Sequence, residues 1–432
     1  MKRTIAALIT LALSFTCASL LNQTSSGSLY SESYPAVVCP PTLSGLSSQI
    51  STLKTNFQLL TNRSAKTNVF KSFRYVINSD SLIVSTNGVT PIIWQTRVGS
   101  WSGGTICSGP ASSQWFVGGS SDVTSRGQLI VINSGLSDAI VDVQVFSEKG
   151  KQKLTSLTIK AKNYSTLALD ALATGNKILT VHVIPRSGRI NAFMIDERGT
   201  GLTSMGGDFV NSVSAPSTTL VIPAIPNQLV NKSLKAATPH IVRIMNTSAV
   251  NTNFTLELQS TDGNFIPTGF DSRNIAPGVV TELQLSPLVA SSAFAVRITS
   301  DEPVVAAISS VVITKTGKDL VWSTPTPPLV PMTMAINGLT PAIVFTSPAI
   351  SVQIEVAFVN GKKSRTLIKG VDVTAWHVPN GARSIAIIES SPNTYAGALT
   401  SDGNGYGYIP IAPGSLLTRV EVPRSNIRVL NP

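Results

Sequence analysis

The chain has 432 residues, 42% hydrophobic and only 13% charged, a balance that fits a folded protein and excludes a disordered one. Its formal charge is +11, or +9 without Lys2 and Arg3 (31 basic against 22 acidic residues). That excess favours anionic envelope polymers or lipid head groups as partners, with a mildly basic solvated surface as the plain alternative. Nucleic acid is a poor candidate, because no basic cluster interleaves with aromatic residues.

In chain order, Lys2 and Arg3 precede an apolar run from Ile5 to Phe15, then the small residues of Thr16-Cys17-Ala18-Ser19. This is the pattern of a secretory signal peptide over residues 1–27. Apolar character continues to Leu21, so an uncleaved membrane anchor stays open, as does lipidation at Cys17. All three readings place the body of the chain outside the cytoplasm, secreted or associated with the cell envelope. No later apolar run is long enough to span a bilayer, which excludes a multi-pass membrane protein.

Residues 28–112 form a small mixed region expected to pack on the first of the repeats that begin near residue 113. Leu43, Leu46, Ile50, Leu53, Phe57 and Leu60 recur at spacings of 3 and 4, which predicts an amphipathic helix over 43–60. Phe73–Ile77, Ser81–Ser85 and Pro91–Gln95 come next as strands. Cys39 and Cys107 remain as a pair once Cys17 is set aside. In an oxidising compartment they are expected to form a disulfide rather than two free thiols, worth roughly 4 kcal/mol in the chain-entropy model.

In the repeats, Gln128–Asn133, Ala139–Phe146 and the turn at Gly150 recur as Ile241–Asn246, Asn253–Gln259 and the turn at Gly263. Asn133 to Asn246 and Gly150 to Gly263 are both 113 residues apart. A third, shorter copy runs through Ala342–Thr346, Val352–Phe358 and Gly361. The segments alternate apolar and polar residues with period two, as half-buried antiparallel strands do. The fold expected is all-β: three tandem Ig-like antiparallel β-sandwich repeats over 113–217, 218–331 and 332–432, with proline-rich joints between them.

No motif carries convincing catalysis. Ser51-x-x-Lys54 and Lys315-Thr-Gly317 lack the Ser-Asp-Asn element that would make them a penicillin-recognising set, and no Gly-x-Ser-x-Gly elbow is present. Gly403–Gly407 opens no helix and is a loop rather than a phosphate cradle. The histidines His182, His240 and His377 are scattered, so neither zinc nor a cofactor is expected. Asp196-Glu197 and Asp301-Glu302 lack the further oxygen ligands of a calcium site. A cryptic hydrolase would need His182 or His377 beside a serine and a carboxylate in a deep pocket. Trp94, Trp101, Trp115, Tyr406 and Tyr408 are candidate ligand-contact aromatics if exposed, since ring faces stack on sugars, and core residues if buried.

Val38-Cys-Pro-Pro41, Cys107 and Trp115-Phe-Val-Gly-Gly119, in this order with the repeated strands, resemble an uncharacterised actinobacterial family. Its members are exported or membrane-anchored envelope proteins carrying a domain of unknown function. The resemblance implies an extracytoplasmic location and brings no catalytic residues. The function expected is therefore a non-enzymatic envelope scaffold or binding array whose partner is an envelope protein. The alternative is a module that binds carbohydrate or an anionic glycopolymer.

Overall fold

Alternation in sequence becomes alternation in burial. In Thr252–Ser260, Phe254, Leu256 and Leu258 are buried, while Asn253, Thr255 and Glu257 between them are not. The computed structural model describes residues 30–61, 67–77, 80–201, 203–227, 239–315 and 317–421. The signal or anchor segment lies outside the described residues. The expectation of an all-β fold holds: the single helix among the described residues is the one-turn Leu169–Leu172. None is long and apolar enough to cross a membrane.

The strand pairing obeys one recurring plan. In the second unit the eight principal strands are, in order, Gln114–Val117, Gln128–Asn133, Ala139–Ser147, Thr155–Ile159, Asn163–Ala168, Leu179–Pro185, Ile190–Thr200 and Thr203–Val210. One sheet has the order first, sixth, third, fourth; the other has fifth, second, seventh, eighth. The same two orders recur between Ser217 and Ser323, where Ala293–Thr314 supplies both sixth and seventh strands. They recur again between Met332 and Pro410, where Ala342–Phe358 and Lys363–His377 each supply two strands.

The landmark asparagines explain themselves in this plan. Asn133 donates to the carbonyls of Ser137 (2.8 Å) and Ile159 (3.1 Å) and accepts from the Gly135 amide (2.9 Å). Asn246 likewise donates to Val250 and accepts from Ser248. Each staples the turn that carries the chain from one sheet to the other.

Residues 37–106 depart from expectation. They do not form the helix expected over 43–60, although they do pack on the next unit. They repeat the same plan as an additional unit, the first of four in chain order, from Val37–Cys39 to Trp101–Ile106. The stretch expected to be helical holds the strands Ser47–Ser51 and Asn56–Leu59. Its 3-and-4 spacing is shared between two short strands and a turn. Ile50 and Phe57 enter this unit's core, whereas Leu43 and Leu46 pack against the neighbouring unit. The Ser, Thr and Asn between them give a helix little intrinsic support.

Cys39 and Cys107 are bonded, with Cα atoms 4.5 Å apart, and join the first strand to the residue after the eighth. This unit has the shortest strands, so a covalent tie matters more there. A Cys39→Ala/Cys107→Ala variant is expected to lose about 3 kcal/mol of stability. Chemical denaturation with and without reductant checks it, and an unchanged midpoint on reduction would count against the tie.

Successive units do not trail as a string. Leu129 and Val131 face their own unit's core, while Ile130 and Ile132 of the same strand pack with Trp101 and Phe209 at the joint with the first unit. Burial on both faces is why that strand reads as an unbroken apolar run. Met245, Val305 and Trp322 join the second unit's core to the third. Val312, Val321, Val344 and Tyr408 join third to fourth, and Ile92 and Trp94 enter the fourth unit's core. The eighth strands Trp101–Ile106, Thr203–Val210, Gly317–Ser323 and Tyr406–Pro410 pack one on the next, and the last packs on the first. Four units thus close into a ring within Pro35–Leu416. Separately, Tyr30–Ser33 pairs with Thr418–Glu421 as an antiparallel ribbon, with the Arg419 guanidinium 4.0 Å from the Tyr30 ring centre.

Candidate functional site

Each eighth strand is the last strand of its sheet, so it carries amides with no strand partner on its outer side, and buried amides must find acceptors. Two fully buried aspartates supply them. Asp319 Oδ2 accepts from the amides of Tyr406 (2.8 Å) and Ser102 (3.4 Å), and Oδ1 from those of Gly207 (3.1 Å) and Leu320 (2.8 Å). One carboxylate therefore bonds all four central strands. Asp208 accepts from Trp322 (3.0 Å), Tyr408 (3.5 Å) and Phe209 (2.8 Å). Asp402 ties the last unit to the first, accepting from Trp94 Nε1 (2.9 Å), Thr96 Oγ1 (2.9 Å) and Ser102 Oγ (2.8 Å).

Electrostatics separate these carboxyls. Burial pushes Asp319 up to about 7 against the pull of its amide donors, and it holds Asp208 well above the usual carboxylate range. Partial burial acts the same way on Asp402, but donors led by the Trp94 indole outweigh it and hold that carboxyl below the usual range. Every oxygen of Asp208, Asp319 and Asp402 is engaged in holding backbone or side chains, so this node is structural. Sequence reading passed over it. The available signal was a charged residue inside an apolar strand beside glycine, as in Gly206-Gly-Asp208 and Gly317-Lys-Asp319.

The candidate aromatics are drawn inward by the same closure. Trp94, Trp101, Trp115 and Tyr408 are buried. Trp101 Nε1 donates to Glu197 (2.7 Å), Tyr408 Oη donates to the Thr324 carbonyl (2.8 Å), and Trp115 stacks on His182 at 3.7 Å. Tyr406 packs half-buried against the joint between third and fourth units, and burial pushes its phenol up to about 12. The ligand-contact reading of these five residues is thereby corrected: their rings fill the cores and joints of the ring and offer no open stacking platform.

The histidines do not assemble. His240 is buried 2.8 Å from Ser310 Oγ, and His377 is exposed. His182 Nε2 lies 2.9 Å from Ser113 Oγ, but burial pulls the imidazole down to about 4, leaving a weak base. Among the described residues no carboxylate bonds its other nitrogen, and no group of three His, Cys, Asp or Glu side chains could hold a metal. Asp196 and Glu197 point apart, the first to Arg198 and the second to Arg97.

A cavity of about 570 Å³ opens where the central strands end. Ile106, Val210 and Pro410 mark the ends of three of those strands, and Pro325 lies just beyond the fourth. The segments leaving each unit form its walls, with Ser113, Gln114, Asn211, Thr219 and Tyr395 among the polar lining. Phe116, Phe193 and Phe209 also line it, and among the described residues no Asp, Glu, Lys, Arg or His does. The arrangement suits an uncharged ligand, because a buried charge without a partner is costly.

No curated protein matches the chain. Among solved structures, one titled "Crystal Structure of Thermotoga maritima 1070" is 14% identical over 24% of this chain and 94% of its own, with a TM-score of 0.22. A tetra-tandem repeat in the extending region of a large adhesion protein is 9% identical over 89% of this chain and 94% of its own, at 0.11. Neither likeness carries weight for the fold. A family profile does match, over residues 90–377, spanning the last part of the first unit through most of the fourth. The chain belongs to the Family of unknown function (DUF5719).

Proposed function

We propose that this protein is a non-enzymatic extracytoplasmic scaffold, associated with the cell envelope, whose closed ring holds an uncharged ligand in the axial cavity. The observation that carries this reading is the cavity itself. It is about 570 Å³, built from segments of all four units, and lined by hydroxyls, amides and apolar groups without an Asp, Glu, Lys, Arg or His side chain among the described residues. A rigid ring suits such a role, because a preformed cavity loses little ordering entropy when it is filled. The non-enzymatic part is supported by the weak basicity of His182 beside Ser113. Export is supported by the Lys2-Arg3 and apolar N-terminal pattern, by the Cys39–Cys107 bond, and by the resemblance to exported envelope proteins.

Native mass spectrometry of the protein isolated from its own compartment tests this. The wild type is expected to carry a neutral small molecule that is lost or weakened in Ala215→Trp, where an indole on the exposed lining takes up part of the cavity. An empty wild type that no neutral ligand stabilises against heat would contradict the reading.

A further inference from the structure

Where the first unit meets the second, two adjoining depressions of about 210 and 300 Å³ share Arg97, Arg126 and Glu197 in their walls. The acidic groups there are already committed. Glu197 receives Arg97 Nε (2.8 Å) and Nη2 (3.1 Å) on its two oxygens, and the Trp101 indole N–H on the first. Asp196 holds Arg198 at 3.0 Å and the Trp322 indole N–H at 3.0 Å. Arg126 differs. Its amide donates to the Glu197 carbonyl at 2.9 Å, which fixes the residue on the wall, while its side chain is exposed and has no ion pair or hydrogen bond among the described residues. Glu197 is thus the one carboxylate lining the two depressions among the described residues and is taken up by Arg97, and Arg198 is held by the buried Asp196 behind the wall, which leaves the positive charge of Arg126 uncommitted. Ser100, Thr124, Thr203 and Ser204 bring hydroxyls to the same 210 Å³ depression.

We propose that this cleft is an oxyanion-binding site, in which Arg126 takes the charged oxygens of a phosphoryl or carboxylate group and the surrounding hydroxyls donate to the rest. Guanidinium forks match such groups with two parallel N–H bonds, and hydroxyls satisfy the remaining acceptors. The fixed Arg97–Glu197 pair keeps the acidic side chain from folding over onto Arg126. This site lies beside Trp101 and Thr203, where two central strands begin, whereas the neutral cavity lies where they end. The two would therefore take different chemistry, and the cleft does not depend on the cavity's role.

Calorimetric titration of the mature full-length protein tests it, with inorganic phosphate and, separately, acetate as probes at constant ionic strength. Saturable binding in the millimolar range is expected for at least one probe, and comparing the two tells a phosphoryl from a carboxylate ligand. Arg126→Gln should weaken it at least tenfold with an unchanged melting temperature, since the side chain makes no internal bond. Arg126→Lys should retain part of it, and Lys151→Gln at a distant exposed site all of it. Absence of saturable binding of either probe, or equal binding by Arg126→Gln, would overturn the proposal.

Discussion

Replacing Asp319 by alanine is expected to lower stability by on the order of 5 kcal/mol. The substitution leaves the amides of Gly207, Leu320, Tyr406 and Ser102 buried without their acceptor. Orphaned buried donors cost about 1–3 kcal/mol each, offset in part because an ionised carboxylate no longer has to be buried. Urea denaturation checks the size, and a loss below about 1 kcal/mol would show that the node is not what holds the strands.

The same carboxyl gives a pH dependence with a definite sign. Burial places Asp319 at about 7, above its ordinary value of 3.8. A raised carboxyl contributes fully below its unfolded value and loses that contribution as pH rises through its folded value. The melting temperature is therefore expected to fall between pH 5 and pH 8, with Asp208 acting in the same direction. Asp319→Asn should be less stable at pH 5 and show a shallower decline, so that the gap to wild type narrows at pH 8. An Asn variant with the wild-type slope would place the titrating group elsewhere.

Gly405→Ala is expected to be of similar severity, again on the order of 5 kcal/mol. A Cβ at this position would sit on the Ser102 amide nitrogen and against Asp319 Oδ2. Neither can give way, because one is backbone of the neighbouring strand and the other is locked by its donors. Gly381→Ala is the informative comparison. It lies in open space with a positive φ of 77°, so only local backbone strain of about 1 kcal/mol applies there. If the two variants melted alike, close packing at the ring centre would be refuted.

Strand character was legible in the sequence because period-two patterning is a local signal. Asn133 and Asn246, with Gly150 and Gly263, announced a repeated turn, and those residues do staple and reverse the chain in equivalent places. The first unit was hidden because its short strands blur the alternation and its apolar spacing mimics a helix. Ring closure was hidden for a different reason. Contacts such as Asp402 with Trp94, 308 residues apart, leave no local pattern. One clue was present: Leu129-Ile-Val-Ile132 is apolar without alternation, which in an antiparallel sheet means that something covers the second face. The aromatics, the strongest candidates for ligand contact by type, were recruited to those covered faces.

Closure of four units around a carboxylate node is the central claim, and amide hydrogen exchange under native conditions tests it most directly. The amides of Ser102, Gly207, Trp322, Tyr406 and Tyr408 lie on the outer side of end strands, where an open string of units would leave them to solvent. In the closed ring they are expected to exchange only through global unfolding, as slowly as the amides of Val131 and Ile244 within the sheets. Exchange within seconds to minutes at these five positions, with the sheet interiors still protected, would contradict the ring.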